Sequence, residues 1–173
     1  MSSTSRIATT THAAASLSDG ADGWVVATSF GDPQGEAAAC RSSVAIADVS
    51  NWGVFRLSGA NAVKYLQGLV SNDVAKLNVG EGCYAAFLNV HGRIEADVHI
   101  FRFEDGLILH TPPEAADWLE KNLGRFRLAG GFDLERLGER HAMIAVLGPD
   151  SRDLLARLTG RDAPERLCCG ESD

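Results

Sequence analysis

The most regular hydrophobic pattern in the chain lies at residues 93–103 (RIEADVHIFRF), where apolar and polar positions alternate. Successive side chains of a strand point to opposite faces. The alternation therefore predicts a strand with Ile94, Ala96, Val98 and Ile100 on one face and Arg93, Glu95, Asp97 and His99 on the other. Glu104-Asp105-Gly106 reads as a turn into a second strand at 107–111, so the pair is expected as an antiparallel hairpin. Upstream, short apolar runs at 44–49, 54–57 and 83–88 read as strands, and Asn78-Val79-Gly80 and His91-Gly92 as turns.

Helical spacing appears in four places. Pro33 after Asp32 suits a first helical position, and 34–42 (QGEAAACRS) is rich in good helix formers. Val63, Leu66, Leu69 and Val70 mark a helix over 60–70, with Ser58 as its expected cap. Pro112-Pro113 opens a helix through Leu123, with Ala115, Trp118, Leu119 and Leu123 as candidate core contacts. Gly148-Pro149-Asp150 opens a last helix with Leu154, Leu155 and Leu158 on one stripe, after an apolar strand at 141–147. Residues 125–128 and 131–134 read as short strands or loops. Strands joined by hairpins, with helices between, predict an α+β fold: an antiparallel sheet with packed helices. Residues 1–22, rich in Ser, Thr and Ala, are expected as a flexible arm, 23–160 as the folded domain and 161–173 as a polar tail.

Composition narrows the function classes. With 173 residues, 45% hydrophobic, the chain has the size and apolar content of one ordinary soluble domain. A formal net charge of −7 argues against general binding to nucleic acid or membrane surfaces, which calls for dense Lys and Arg. No apolar run reaches the roughly eighteen residues of a membrane span, and the start of the chain has no apolar core of a secretory signal. Cys40, Cys83, Cys168 and Cys169 fit no metal-binding spacing and read as reduced thiols, which suits the cytoplasm.

Two groups of residues carry possible chemistry. Glu95, Asp97 and His99, at period two, place three titratable groups on one strand face, a geometry suited to acid–base work and equally to a solvated sheet face. No second cluster accompanies them, so no metal site is expected. Lys121, Arg125 and Arg127 form a basic group in an acidic chain, suited to an anion or simply to a solvated helix end. Glycine-rich phosphate loops and the GxSxG and HExxH signatures are missing from the sequence.

Several segments in order resemble a known family. They are Gly23-Trp24, 45–50 (AIADVS), 55–73 (FRLSGANAVKYLQGLVSND), 82–89 (GCYAAFLN), 92–100 (GRIEADVHI) and 143–149 (MIAVLGP). Together they resemble the N-terminal domain of the glycine cleavage system T protein, an aminomethyltransferase, whose strand signature is GG-I-I-DD-L-I-V. The resemblance implies a tetrahydrofolate cofactor and transfer of a one-carbon unit from a small-molecule donor. It assigns Asp97, matching the second aspartate of the DD pair, as the catalytic carboxylate beside the folate nitrogen. Ala96 stands where the first aspartate would be. The GRIEAD reading is also similar to folate-binding relatives that support iron–sulfur enzymes and tRNA modification. The family's folate-lining tyrosine matches Tyr84, and its folate-binding asparagine falls near His110.

Full members of the family carry a later G-Y-T-G-E-x-G-Y-E segment and a C-terminal barrel, neither of which follows Leu158 here. The resemblance therefore implies a subunit of a methyl- or aminomethyltransferase, or a demethylase, whose site is completed by a second polypeptide. Its alternatives are a non-catalytic assembly subunit that kept the fold, and a fragment of a longer protein.

Overall fold

The computed structural model describes residues 3–4, 16–19, 24–125, 127–138 and 141–162. In chain order its strands are β1 (Ser3–Thr4), β2 (Ser16–Asp19), β3 (Trp24–Ser29), β4 (Ala45–Asp48), β5 (Gly53–Ser58), β6 (Gly82–Leu88), β7 (Ile94–Phe103), β8 (Gly106–Thr111), β9 (Asp133–Arg136) and β10 (Ile144–Leu147). Helices span Pro33–Ser42, Ala62–Gln67, Pro113–Gly124, Arg127–Gly130 and Ser151–Thr159. The fold is α+β with antiparallel sheets, as the sequence pattern predicts. The described residues fall into two compact units, one from within 1–51 and 139–163 and the other from 52–138.

The 52–138 unit is a five-stranded antiparallel sheet in the order β6-β7-β8-β5-β9. The alternation of β7 sets its layering. Ala96, Val98 and Ile100 are buried together with Phe55, Leu57, Leu109 and the helix residues Leu66, Leu119 and Leu123. Helices Ala62–Gln67 and Pro113–Gly124 contribute to that core, and Arg136 of β9 ties the second helix down by bonding Asp117 at 2.7 Å and Glu120 at 2.9 Å. Ile94 departs from the expected pattern and is 69% exposed. The cause is a register shift, in which Phe87 opposes Ala96 but Leu88 opposes Ile94, so Glu95 is the extra residue of a bulge.

β6 is an edge strand, and its free backbone groups are met by the loop that precedes it. Ser71 N–H donates to the Ala86 carbonyl and Ala86 N–H to Ser71 Oγ, both at 2.9 Å. Asn72 Nδ2 donates to the Tyr84 carbonyl at 3.0 Å. This loop therefore shields the edge and fixes the backbone on which Tyr84 stands. Helix Ala62–Gln67 is shorter than the span expected, and Ser58 lies in β5 instead of capping it; the cap position is Asn61, which makes no side-chain cap bond.

The other unit is built from distant segments. β4 pairs antiparallel with β10, Ala45 opposite Leu147 and Asp48 opposite Ile144. Ser50 Oγ accepts from Met143 N–H at 3.0 Å and donates to Asp48 Oδ1 at 2.7 Å. Ser43 Oγ donates to Asp150 Oδ2 at 3.0 Å. Gly148 turns at φ +110°, with the Ser43 carbonyl oxygen only 2.3 Å from where a Cβ would sit, so the close approach requires glycine. Glu36 Oε1 accepts from Ser29 Oγ, Phe30 N–H and Asp32 N–H, securing the start of helix Pro33–Ser42.

Within the segment expected as a flexible arm, β2 pairs antiparallel with β3 and β1 pairs parallel with it. Residues 125–134, expected as strands or loops, hold a short helix and the start of β9. Among the described residues no helix is long and apolar enough to cross a membrane. Cys40 and Cys83 are free thiols, Cys83 buried, and Cys168 and Cys169 lie outside the described residues, as does the tail from 163 onward.

Candidate functional site

One face of the five-stranded sheet is sealed against helices. The opposite face carries the candidate site. Register places Tyr84 of β6 directly opposite His99 of β7, and His99 directly opposite His110 of β8. One pleat further along β7 stands Asp97, opposite Ala86. The residues nominated for catalysis and cofactor binding, Asp97, Tyr84 and His110, are thus brought onto one patch of a single sheet face.

The central contact is a hydrogen bond. Tyr84 hydroxyl donates to Asp97 Oδ2 at 2.9 Å. A phenol that donates to a carboxylate is held in its protonated form, so this bond, reinforced by loss of hydration and the Asp97 charge, raises the Tyr84 pKa above its ordinary value. The Tyr84 ring is 49% exposed and lies 5.0 Å from the His99 ring at a 53° tilt. Asp97 is anchored through its own backbone, since the buried Thr111 donates its Oγ1 to the Asp97 carbonyl at 2.8 Å.

His110 has a different electrostatic character. Burial, helped by the facing His99, pushes its pKa down to about 4. At neutral pH it is an uncharged imidazole, with one N–H to donate and one nitrogen to accept. Its ring lies 5.4 Å from Phe101 at 57°. The patch therefore combines one carboxylate, a half-exposed phenol, a neutral imidazole and further rings, a set suited to a flat heteroaromatic ligand with N–H groups.

The remaining candidates lie elsewhere. Glu95, displaced by the bulge, accepts from Asn89 Nδ2 at 2.6 Å. It lines a separate concavity of about 450 Å³ with Phe87, Trp118, Asn122 and Arg125. Lys121 and Arg127 are exposed, and the basic group stands outside the Tyr84–His99–His110 row. Among the described residues no group of three His, Cys, Asp or Glu is placed to hold a metal ion. Ala96 is 4% exposed on the core face. The missing first aspartate of the DD pair thus takes no group from the open face. Asn72 and Thr111, which hold the backbones of Tyr84 and Asp97, went unmarked in the sequence; the signal for Asn72 was the Ser71-Asn72-Asp73 block at the end of the matching segment 55–73.

Comparison with known proteins gives a consistent result. A family model described as the GCVT N-terminal domain matches residues 7–167. The aminomethyltransferase of Koribacter versatilis is 33% identical over 139 residues, covering 78% of this chain and 36% of that protein. The aminomethyltransferase of Alcanivorax borkumensis is 32% identical over 142 residues, covering 79% of this chain and 38% of that protein. The chain thus spans somewhat over a third of the length of the curated relatives it matches. Among solved structures, the glycine cleavage system aminomethyltransferase T from Bartonella henselae superposes with a TM-score of 0.75 at 22% identity, covering 89% of this chain and 42% of that one. At that identity the likeness shows a shared fold.

Proposed function

The chain belongs to the GCVT N-terminal domain family, and from that membership we propose that it forms part of a tetrahydrofolate-dependent one-carbon transferase acting in the cytoplasm. In this reading the open sheet face is one wall of the folate site, and a second polypeptide supplies the opposite wall. The observation that carries it is the Tyr84–Asp97 hydrogen bond, 2.9 Å long and standing on a half-exposed face.

The residues fit the cofactor. Rings at Tyr84 and Phe101 suit a planar pterin, and the neutral His110 can donate to or accept from its polar edge. Bound tetrahydrofolate supplies the nitrogen that carries or accepts the one-carbon unit. Asp97 lies where a carboxylate can stabilise positive charge developing on an amine, or accept its proton. Tyr84 fixes the Asp97 carboxylate through Oδ2 and leaves its other oxygen for the ligand. The donor is a small molecule bearing a methyl or aminomethyl group on nitrogen, sulfur or oxygen.

The test is copurification of the chain with its partner, followed by a tetrahydrofolate-dependent methyl- or aminomethyl-transfer assay. Asp97→Ala is expected to abolish turnover while leaving complex formation intact. An unaffected Asp97→Ala complex removes Asp97 from catalysis. A complex without any transfer activity supports the alternative, a non-catalytic assembly subunit.

A further inference from the structure

Glu95 and the basic group at 121–127 have no part in the reading above. The structure brings one of each to the same place. Glu95 and Arg125 both line the concavity of about 450 Å³ in the 52–138 unit, a volume ordinary for a small-molecule site. Its apolar wall includes the buried Leu123 and the rings of Phe87 and Trp118, which meet edge to face at 5.9 Å and 70°. Glu95 is aimed by the β7 bulge, since an extra residue leaves the pleat that its neighbours follow. Asn89 then fixes it. Asn89 Oδ1 accepts from the His91 and Arg93 N–H groups at 2.9 and 3.1 Å, and Asn89 Nδ2 donates to Glu95 Oε1 at 2.6 Å. Glu95 Oε2 has no hydrogen-bond partner among the described residues.

Arg125 closes helix Pro113–Gly124, where its backbone N–H bonds the Lys121 carbonyl at 3.3 Å. The helix dipole favours a cation at that end. Among the described residues, however, its guanidinium pairs with no carboxylate, Glu95 included. The half-buried Asn122 of the same helix adds an amide to the lining. A single charge on a surface needs no ligand. Two opposite charges left apart on one aromatic-walled concavity form the complement of a molecule that carries both. We propose that this concavity binds a zwitterion with an aromatic body, of the class of the aromatic amino acids. The ligand carboxylate meets Arg125 and its ammonium group meets Glu95. Its ring lies against Trp118 and Phe87, and Asn122 can bond either polar end. The concavity shares no residue with the Tyr84–Asp97–His110 patch, so it stands or falls independently of tetrahydrofolate.

The test is a ¹H–¹⁵N titration of the whole chain, read at the indole N–H of Trp118. The chain has three tryptophans, and Trp118→Phe identifies the signal. Three probes are added to millimolar concentration: L-tryptophan, which carries both charges, tryptamine, which lacks the carboxylate, and indole-3-propionate, which lacks the amine. L-Tryptophan is expected to shift Trp118 together with the amides of Glu95 and Arg125, and to bind about fivefold tighter than either analogue. Arg125→Gln should weaken L-tryptophan and indole-3-propionate by about fivefold and leave tryptamine unchanged. Glu95→Gln, which keeps an acceptor for Asn89, should weaken L-tryptophan and tryptamine and leave indole-3-propionate unchanged. Both residues are exposed, and an otherwise unaltered spectrum checks that each variant is folded. No shift at Trp118, equal affinity for all three probes, or losses that do not follow the removed charge would overturn the proposal. Trp118 shifts that follow protein concentration without any probe would assign the concavity to a second copy of the chain and also overturn it.

Discussion

Every buried apolar side chain of the described residues belongs to the unit at 52–138, including Phe55, Leu57, Leu109, Leu119 and Leu123. In the unit formed from within 1–51 and 139–163, helices Pro33–Ser42 and Ser151–Thr159 bury no residue, and Ile46 and Ile144 are 63% and 53% exposed. That unit is joined instead by hydrogen bonds between segments about a hundred residues apart in sequence: the β4–β10 ladder, Ser50 with Met143, and Ser43 with Asp150. The difference teaches where the candidate site gets its precision. Tyr84, Asp97 and His110 stand on the sheet whose other face is packed solid, so their spacing is set by close-packed side chains.

The comparison makes graded expectations. Leu119→Ala removes a fully buried side chain and should cost about 3–4 kcal/mol in denaturant unfolding. Leu155→Ala, in the half-buried face of the last helix, should cost about 1 kcal/mol or less. Equal costs would erase the distinction between the two units.

Acid should next separate them. His110 has a folded pKa of about 4 against an ordinary value of 6.5, so between those values the unfolded chain binds more protons than the folded one. Its contribution is fully present above pH 6.5 and is lost as pH falls toward 4. It amounts to about 3 kcal/mol at most. His110→Asn should flatten that part of the stability profile, measured by urea unfolding at a series of pH values.

A smaller effect tests the hydrogen-bonded unit. Ser50→Ala removes an acceptor for Met143 N–H and a donor to Asp48, and should cost about 1–2 kcal/mol. Amide exchange should rise at Met143 and along β10 without rising in β7 and β8. The smallest stability change is expected at Tyr84→Phe, whose hydroxyl lies on an exposed face, together with weaker tetrahydrofolate binding.

The alternation of 93–103 made β7 readable, and with it the hairpin to β8 and the face that carries Asp97 and His99. Convergence of Tyr84 and His110 on that face followed from the family resemblance, because nothing local in either strand fixes which residues oppose each other. Glu95 was misplaced for the same reason: a one-residue bulge leaves the period of the sequence intact while it shifts the register. Pairing of β4 with β10 was also illegible, since two short apolar runs so far apart carry no mark of their partnership. The helix expected over 60–70 shortened to Ala62–Gln67 because Val70 leaves the helical spacing for a bridge to Phe87 at the sheet edge.

The central claim is that the Tyr84–Asp97–His110 face is a wall of a tetrahydrofolate site. Its most direct test is a ¹H–¹⁵N titration of the chain with tetrahydrofolate to millimolar concentration. The account predicts shifts concentrated at Tyr84, Asp97, His99 and His110 and lost in Asp97→Asn. Shifts confined to other surfaces, or an unaltered pattern in Asp97→Asn, would contradict it.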